Sequence, residues 1–382
     1  MLMSLKILAL SAAALLSLAG ASSAAEGITK ESVKFAQVAA LDGPAAALGT
    51  GMQLGLRAAF EEANRAGGVY GRLLTLDSVD DGYEPDRSAK EVQQIIDADD
   101  HLGLVGAVGT PTAAVTQPLA TASDIPYIGA FTGAGFLRDG GLGNVLNIRA
   151  SYDAETEAWI KYLVDDKGFK KIAILYQDDG FGRVGLDGVT KALERRGMTL
   201  AATGSYTRNT VAVKSALLDI RKAKPDTVVM VGAYKPIAEF IKLSRKLKFT
   251  PEFVNISFVG STALANELGP EGEGVIISQV VPFPWDASVP VVAAYQAALT
   301  AVDASANPDF ISLEGYLAGR LVIEILNRTG ENLSRKAFLA TMLDLGTVDF
   351  GGAEMTFGPG DNQGMDSVFL TSMKADGTFE PL

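Results

Sequence analysis

The sequence predicts an α/β protein with two doubly wound parallel-sheet lobes joined by a three-crossing hinge. Three observations support this fold class. Apolar strands alternate with helix-period segments along most of the chain, which is typical of parallel sheets. The order strand, small-residue loop, helix occurs at 33–66 and again at 171–193. The length of 382 residues also exceeds that of one ordinary domain.

The first 25 residues predict a cleaved secretory signal peptide. Lys6 is their only charged side chain, Ile7–Leu18 is an apolar run, and Ser23-Ala24-Ala25 supplies small residues for cleavage before Glu26. The alternative is a membrane anchor, for which the apolar run is short. We therefore expect a protein that is exported through this signal.

The composition narrows the possible classes of function. With 48% hydrophobic and 20% charged residues, the chain can bury large cores. The absence of cysteine excludes disulfides and a lipid anchor through cysteine. The net charge of −12 argues against nucleic acid and anionic lipid as partners. The single histidine, His101, lies in a polar loop, and we expect it at the surface.

The first βα series runs from residue 26 to residue 149. Predicted strands lie at 33–39, 73–79, 102–108, 126–130 and 144–149, and predicted helices at 46–66, 86–97 and 112–123. Ser151 is a good N-cap for a helix that reaches about Lys167. The second series has predicted strands at 172–176, 200–206, 227–231, 252–255 and 275–281, with helices between them.

The remaining segments indicate how the lobes share the chain. Three helices are predicted at 291–302, 311–328 and 335–345, and two paired strands at 353–357 and 367–374. We expect residues 26–149 plus 282–350 to form lobe 1, and residues 150–281 plus 351–382 to form lobe 2. The crossings then fall near 149–151, 279–282 and 350–353, and parallel crossings of this kind make a hinge.

Enzyme motifs are weak in this sequence. A G-x-G-x-x-G pattern occurs at 180–185, but Asp178 and Asp179 precede it and would face a pyrophosphate. Neighbouring carboxylates at 80–81 and 178–179 are typical of turns and caps, although they also allow a glycosidase-like site. We expect no catalytic residue, no metal and no cofactor.

Candidate ligand-binding residues are small polar and aromatic residues at the ends of predicted strands. In open α/β sheets ligands bind at that edge. Several of these residues can equally be helix caps or turn residues, and Phe181 and Tyr234 can be surface aromatics. The candidates are Asp42, Gly43, Pro44, Gly109, Thr110, Pro111, Thr112, Phe131, Thr132, Gly133, Gln177, Asp178, Phe181, Tyr234, Ser261 and Thr262.

Several short segments, in this order and spacing, carry a family resemblance. They are Asp42-Gly43-Pro44 with Gly49, Gly67–Arg72, Asp80–Pro85, Tyr176–Gly182 and Val231–Tyr234. Together with the export signal, they resemble the type I periplasmic substrate-binding proteins of ABC importers. The leucine/isoleucine/valine-binding protein family is the most similar group, and the resemblance covers essentially all of the mature chain.

The resemblance implies how a ligand would be held. A carboxylate would bind to hydroxyls and backbone N–H groups of lobe 1, at Thr110 and the pair Thr132-Gly133. Phe181 and Tyr234 of lobe 2 would close over it. The family usually offers an acidic side chain to the ligand ammonium group, but Pro236 and Ile237 stand near that position here. Either Asp42 or Asp178 replaces that acid, or the ligand has no ammonium group.

The expected function is therefore that of a periplasmic solute-binding protein of an ABC importer. It would capture a small amino acid, carboxylate or amide and deliver it to an inner-membrane permease, and we expect it to be a monomer. One alternative is a sensing protein of the same fold that presents its ligand to a receptor. Another is an exported hydrolase that uses carboxylates.

Overall fold

Two separate sheets organise the chain, as the repeated strand–loop–helix pattern predicts. The computed structural model of the protein describes residues 25–382. The predicted signal peptide therefore lies outside the described residues, apart from Ala25. We call the part built on the first sheet lobe 1 and the part built on the second sheet lobe 2.

The first sheet has five parallel strands in the order β2-β1-β3-β4-β5. Its strands and the helices between them are β1 (Ser32–Ala39), α1 (Ala46–Arg65), β2 (Leu73–Asp80), α2 (Pro85–Ala98), β3 (Gly103–Val105), α3 (Thr110–Ala122), β4 (Tyr127–Ile128) and β5 (Val145–Leu146). Strands β3 to β5 are shorter than predicted. Beyond β3 and β4 only an isolated bridge between Val108 and Phe131 continues the pairing.

The second series follows with helix and strand in turn. Its elements are α4 (Tyr152–Ile160), β6 (Ile172–Gln177), α5 (Gly180–Glu194), β7 (Ala202–Tyr206), α6 (Lys214–Ala223), β8 (Thr227–Val231), α7 (Tyr234–Lys246), β9 (Glu252–Asn255), α8 (Ser261–Leu268) and β10 (Ile276–Gln279). The predicted helix up to Lys167 is regular only as far as Ile160, and a π-helical turn continues it over Lys161–Asp166.

The remaining elements are α9 (Pro290–Val302), α10 (Phe310–Thr329), α11 (Arg335–Leu343), β11 (Thr347–Asp349), β12 (Glu354–Thr356), β13 (Phe369–Met373) and β14 (Phe379–Pro381). Helices α9 to α11 pack on the first sheet, where Phe35 of β1 shares one hydrophobic core with Leu321 and Phe338. Helix α10 lies directly against α1. A Cβ atom on Gly55 would stand 1.9 Å from the Ser312 carbonyl oxygen, so only glycine permits this close approach.

The predicted pairing of the two C-terminal strands is wrong. Strand β12 pairs antiparallel with β11, and β13 pairs with β10 and β14. The second sheet therefore has the order β14-β13-β10-β9-β8-β6-β7. Met355, Phe357 and Met365 pack in the core around Phe35. The segment after residue 350 therefore packs with the first sheet for about fifteen residues more than predicted.

The chain passes between the two sheets three times. It does so between Leu146 and Tyr152, between Gln279 and Pro290, and between Thr356 and Phe369. The first two passages include the predicted crossings, and the third lies later than predicted. Because all three run close together between the lobes, they form the hinge about which such lobes can rotate.

His101 is buried rather than exposed, which corrects its predicted surface position. Its Nε2 atom lies 3.1 Å from a carboxylate oxygen of Asp77. The polar loop around it folds against β1, where Lys34 Nζ donates to Asp100 at 2.8 Å. Side-chain partners thus allow a polar loop residue to be buried.

Candidate functional site

The carboxyl ends of the strands of both sheets face one another across a closed cleft. Five buried aromatic rings from the two lobes meet in it. Phe131 of lobe 1 stacks on Phe258 of lobe 2 with a centroid distance of 5.2 Å. Phe258 also contacts Phe181 at 4.6 Å and Tyr83 at 6.0 Å, and Phe181 contacts Tyr152 at 5.5 Å. The cleft thus provides the apolar, aromatic walls that small-molecule sites usually have.

Two threonine hydroxyls of lobe 1 lie beside this aromatic cluster. The side-chain oxygens of Thr110 and Thr132 are 2.7 Å apart, and both side chains are buried. Thr110 begins α3, and no side chain caps the amino end of this helix. Uncapped N–H groups and the positive end of the helix dipole favour an anion. This corner of the cleft can therefore accept a carboxylate.

Two glycines allow tyrosines to reach the same corner. Gly109 has φ +102°, and a Cβ atom there would stand 2.2 Å from the ring of Tyr83. A Cβ atom on Gly133 would stand 2.5 Å from the ring of Tyr152, whose backbone N–H donates to the Gly133 carbonyl at 2.8 Å. Glycine at these strand ends thus serves the close packing of aromatic rings at the cleft.

Gln177 links the two lobes at the centre of the cleft. Its Nε2 atom donates to the Tyr83 hydroxyl of lobe 1 at 3.3 Å and to Asp179 at 2.7 Å. Its Oε1 atom accepts from the Tyr206 hydroxyl at 3.2 Å. Burial, the largest cause, raises the pKa of both Tyr83 and Tyr206, so both hydroxyls remain protonated at neutral pH.

Of the acids at the strand ends, Asp179 rather than Asp42 or Asp178 turns into the cleft. Asp42 is exposed and accepts from the backbone N–H of Gly43 at 2.7 Å. Asp178 is exposed and forms an ion pair with Arg183 at 2.7 Å. Asp179 caps α5, because its Oδ1 atom accepts from the Phe181 N–H at 3.0 Å. Its other oxygen accepts from Gln177 and, at 3.0 Å, from Arg208.

The remaining predicted residues lie at the rim or turn away from the cluster. Asp42, Gly43 and Pro44 form the rim of lobe 1, and Pro111 lies inside the first turn of α3. The Thr112 hydroxyl donates to the carbonyl oxygens of Val108 and Gly109. That hydroxyl stabilises its own helix rather than facing the cluster.

Tyr234, Ser261 and Thr262 lie where lobe 2 meets the helices of lobe 1. The Ala47 N–H of α1 donates to the Tyr234 hydroxyl at 3.4 Å. The Thr262 hydroxyl donates to Asp309 at the start of α10 at 2.7 Å. Ser261 accepts from Gln279 at 3.0 Å, within lobe 2. Tyr234 and Thr262 thus connect the closed lobes beside the cluster, whereas Ser261 bonds within lobe 2.

A cross-lobe ion pair lies at the mouth of the cleft. Arg208 of lobe 2 donates to Glu84 of lobe 1 at 2.7 Å while it also binds Asp179. Asn209 donates to the second oxygen of Glu84 at 2.6 Å. Partial burial raises the pKa of Glu84, but these hydrogen bonds outweigh it and lower the pKa below its usual value. Glu84 is therefore ionised at neutral pH and holds the lobes together.

A second, fully buried ion network lies at the hinge, on the floor of the cleft. Arg149 is within 3.4 Å of Glu155 on α4 and 3.6 Å of Glu314 on α10. Its guanidinium carbon lies 4.9 Å from the centre of the Phe131 ring. Glu155 also accepts from the backbone N–H of Ser257 at 2.9 Å and from the Ser278 hydroxyl. The network ties the first crossing to both lobes.

Several residues of the cleft were not among the sequence candidates, among them Tyr83, Arg149, Tyr152, Asp179 and Phe258. Tyr83 lies in a loop and has φ +61°, which is rare outside glycine. Arg149 is the one charged residue in the predicted strand 144–149, and Tyr152 follows the helix cap at Ser151. A charge at the end of an apolar strand was thus an available signal.

Within residues 25–382, no group of three or more acidic or histidine side chains is arranged to hold a metal ion. In the same part of the chain, no helix has both the length and the apolar character that crossing a bilayer requires.

The groups that face the cleft are hydroxyls, amides, aromatic rings and paired ions. They suit reversible binding of a small organic molecule.

Comparison with known proteins identifies the family. The model of the family described as "Periplasmic binding protein" matches residues 32–378. The chain belongs to the periplasmic binding protein family. It is a solute-binding protein of the type I, leucine/isoleucine/valine-binding group, as the resemblance implied. The two-lobe fold is confirmed with it.

Individual relatives agree with this family. A possible leucine/isoleucine/valine-binding protein from Rhodopirellula baltica, of known crystal structure, is 37% identical in sequence to this chain. The two structures superpose with a TM-score of 0.88, and the match covers 92% of this chain and 96% of that one. A branched-chain amino acid ABC transporter protein from Thermus thermophilus with bound valine is 17% identical, with a TM-score of 0.81 over 93% and 96% of the two chains. At that identity the likeness concerns the fold alone.

A curated relative is similar over a shorter stretch. The Leu/Ile/Val-binding protein homolog 7 of Brucella suis is 26% identical over 259 residues, which are 65% of this chain and 62% of the relative. The match thus spans a little less than two thirds of that protein. The name of this relative describes a binding protein.

Proposed function

We propose that this protein is exported to the periplasm, closes its two lobes around a small carboxylate that lacks an ammonium group, and delivers it to a membrane ABC permease. The observation that carries the proposal is the closed cleft. It combines an aromatic cluster with the Thr110–Thr132 hydroxyl pair at an uncapped helix end. Family membership supports the role in solute binding.

The lobe 1 corner supports a carboxylate as the bound group. Thr110 and Thr132 offer hydroxyl donors, and the amino end of α3 offers backbone N–H donors. Hydrogen bonds to a charged acceptor are stronger than those between neutral groups. Aromatic rings on the opposite side would cover the apolar part of the ligand.

The charge pairing of the cleft supports a ligand without an ammonium group. A buried ammonium needs a carboxylate partner to offset the loss of its hydration. Asp179, the acid that turns inward at the strand ends, is already paired with Arg208. Asp42 and Asp178 lie at the exposed rim. An aliphatic or aromatic carboxylate therefore fits this cleft better than an amino acid.

A ligand screen on the mature chain tests the proposal. Thermal unfolding is followed with 4-methylpentanoate, benzoate and phenylacetate, and with leucine, phenylalanine and benzamide as counterparts. We expect the carboxylates to raise Tm saturably, because stabilisation follows ligand concentration relative to Kd. A response to leucine that exceeds the response to 4-methylpentanoate would contradict the ligand class. Recovery of the bound compound unchanged would argue against the hydrolase alternative.

Two substitutions sharpen the test of the lobe 1 corner. Thr110→Ala removes one donor to a charged group, and we expect affinity for the best carboxylate to fall about tenfold or more. Thr112→Ala is the matched control, because its hydroxyl donates to the backbone of its own helix. Tyr234→Ala removes a contact between the lobes and should also weaken binding. Calorimetry that shows equal affinity for all variants would refute these assignments.

A further inference from the structure

Arg149 and Tyr152 come from the first crossing between the lobes. We infer that these two side chains complete the carboxylate subsite, and that the charge of Arg149 makes the cleft select anionic ligands over neutral ligands of the same shape. This inference rests on the proposed function and deepens it, because it names the residues that set the charge of the ligand.

The strand register places Arg149 at the ligand-binding edge of the first sheet. Tyr127 pairs with Val145 and Ile128 with Leu146. Continued along the chain, this register brings Arg149 next to Phe131, the residue that precedes Thr132. Its guanidinium carbon lies 4.9 Å from the Phe131 ring and 5.9 Å from the Tyr152 ring. Arg149 therefore lies against the aromatic cluster, and the hydroxyl of its neighbour Tyr152 lies beside Thr132.

Several donors at this position lack a partner. Arg149 Nε and Arg149 Nη1 are buried and make no hydrogen bond within the described chain, and the buried Tyr152 hydroxyl has the Thr132 hydroxyl and the Gly133 N–H as its polar neighbours. Buried donors are nearly always paired, because an unpaired donor loses its hydration without compensation. A carboxylate has two oxygens and about four acceptor positions. A carboxylate bound at Thr110 and Thr132 can also accept from these donors.

The surrounding charges leave Arg149 only partly neutralised. Glu155 is occupied by the Ser257 N–H, by the hydroxyls of Ser257 and Ser278, and by Arg149. The nearest oxygen of Glu314 is 3.6 Å from Arg149 Nη1, which is too far for a hydrogen bond. Burial above all raises the pKa of Glu314 to about 7, so its charge is incomplete at neutral pH.

Arg138 adds a second positive charge near the same floor. Its guanidinium donates to the carbonyl oxygens of Ala134 at 2.8 Å and of Arg149 at 2.9 Å. These acceptors are neutral, so the charge of Arg138 is not cancelled by them. The floor thus holds two arginines, Arg149 and Arg138. They are opposed by Glu155, whose oxygens are already hydrogen-bonded, and by Glu314, which is incompletely ionised. This balance favours an anionic ligand and disfavours a cationic group.

Matched pairs of anion and neutral isostere test the inference without knowledge of the natural ligand. Benzoate is compared with benzamide, and acetate with acetamide, each titrated to about 50 mM at constant ionic strength because fragments of this size bind weakly. The readouts are Tm and calorimetric Kd. For the wild type we expect benzoate to bind about tenfold more tightly than benzamide. Equal responses to benzoate and benzamide, or none to either carboxylate, would overturn the inference.

Two variants identify the residues responsible. Tyr152→Phe removes one buried hydroxyl beside Thr132 and keeps the ring, so the protein should fold normally, and benzoate affinity should fall about tenfold while benzamide affinity falls less. Arg149→Gln is combined with Glu314→Gln so that one positive and one negative group are removed together, while Glu155 keeps its hydrogen bonds from Ser257 and Ser278. This pair should reduce the preference for benzoate to about threefold or less.

The control is Arg183→Gln, which removes an exposed arginine paired with Asp178 outside the cluster. It should leave the benzoate preference unchanged. Persistence of the full preference in both test variants would refute the role of Arg149 and Tyr152 while solute binding itself stands. The proposed solute-binding role fails differently, namely if no solute of any charge binds saturably.

Discussion

The mouth and the floor of the cleft use the same ion arrangement in two different surroundings. At the mouth, Arg208 binds Glu84 of lobe 1 and Asp179 of lobe 2. On the floor, Arg149 lies between Glu314 of lobe 1 and Glu155 of lobe 2. In each place one arginine connects a carboxylate from either lobe. The two sites differ in their access to water.

Exposure decides what each arrangement can do. The side chains of Arg208, Glu84 and Asp179 are 21%, 44% and 13% exposed. Those of Arg149, Glu155 and Glu314 are 0%, 0% and 2% exposed. Water and salt weaken the first network, so it can open and close at small cost. The second network is fully desolvated, so removing its arginine would leave buried carboxylates without a compensating charge.

The floor is therefore where a single substitution should have the largest effect. Arg149→Ala leaves Glu155 and Glu314 as buried carboxylates without their cation, and we expect a loss of about 3–5 kcal/mol in the free energy of unfolding. Urea denaturation at pH 7.5 measures this loss. Arg208→Ala at the mouth is the comparison, and its loss should be smaller. Equal losses at the two sites would contradict the argument from exposure.

The fold was largely predictable from the sequence because its signals are local. Apolar strands, glycine-containing loops and helix periods follow each other within short windows, and these determine the two sheets. The pairing of the last strands was not predictable in the same way. Strands β11 and β12 have three residues each, and their pairing depends on packing against the core around Phe35 rather than on a local pattern.

The candidate site was predictable as a place but not in its details. The strand ends indicated where ligand contacts gather. The sequence did not reveal that Asp179, rather than Asp178, turns towards the cleft. This depends on which of the two residues caps α5, and Asp179 is the cap. Tyr83, Tyr152 and Phe258 come from a loop, a crossing and a short turn. Only the arrangement of the two lobes brings these three rings together.

Glu314 should give the floor a pH dependence of stability that the mouth lacks. Burial raises its pKa from 4.5 to about 7, Glu155 adds to the rise, and Arg149 and Arg138 oppose it. The folded protein thus holds this proton more tightly than the unfolded chain does. The stabilisation is complete below about pH 4.5 and is lost as the pH rises through 7.

Glu314→Gln removes this dependence. We expect the variant to be more stable than the wild type by about 3 kcal/mol at pH 8 and by less than about 1 kcal/mol at pH 5. Thermal and urea unfolding across this range provide the measurement. Glu324→Gln, on the same helix but 32% exposed and paired with Arg328, is the control and should shift stability little at either pH. A constant difference between pH 5 and pH 8 for Glu314→Gln would contradict the raised pKa.

The smallest effect is expected at the mouth. Glu84→Gln removes the charge that lobe 1 offers to Arg208, while the pair between Arg208 and Asp179 remains within lobe 2. Because the lost ion pair is partly exposed, closure should weaken by less than about 1 kcal/mol, which corresponds to an affinity loss of about fivefold or less. Calorimetry with the best carboxylate measures this loss. The difference from the wild type should shrink in high salt.

Asp178→Asn separates a cross-lobe effect from a general loss of negative charge. Asp178 is also exposed and paired with an arginine, but its partner Arg183 belongs to the same lobe. A pair within one lobe is present whether the lobes are open or closed, so its removal should leave affinity unchanged. If Asp178→Asn weakened binding as much as Glu84→Gln, the pair at the mouth would not act as a latch between the lobes.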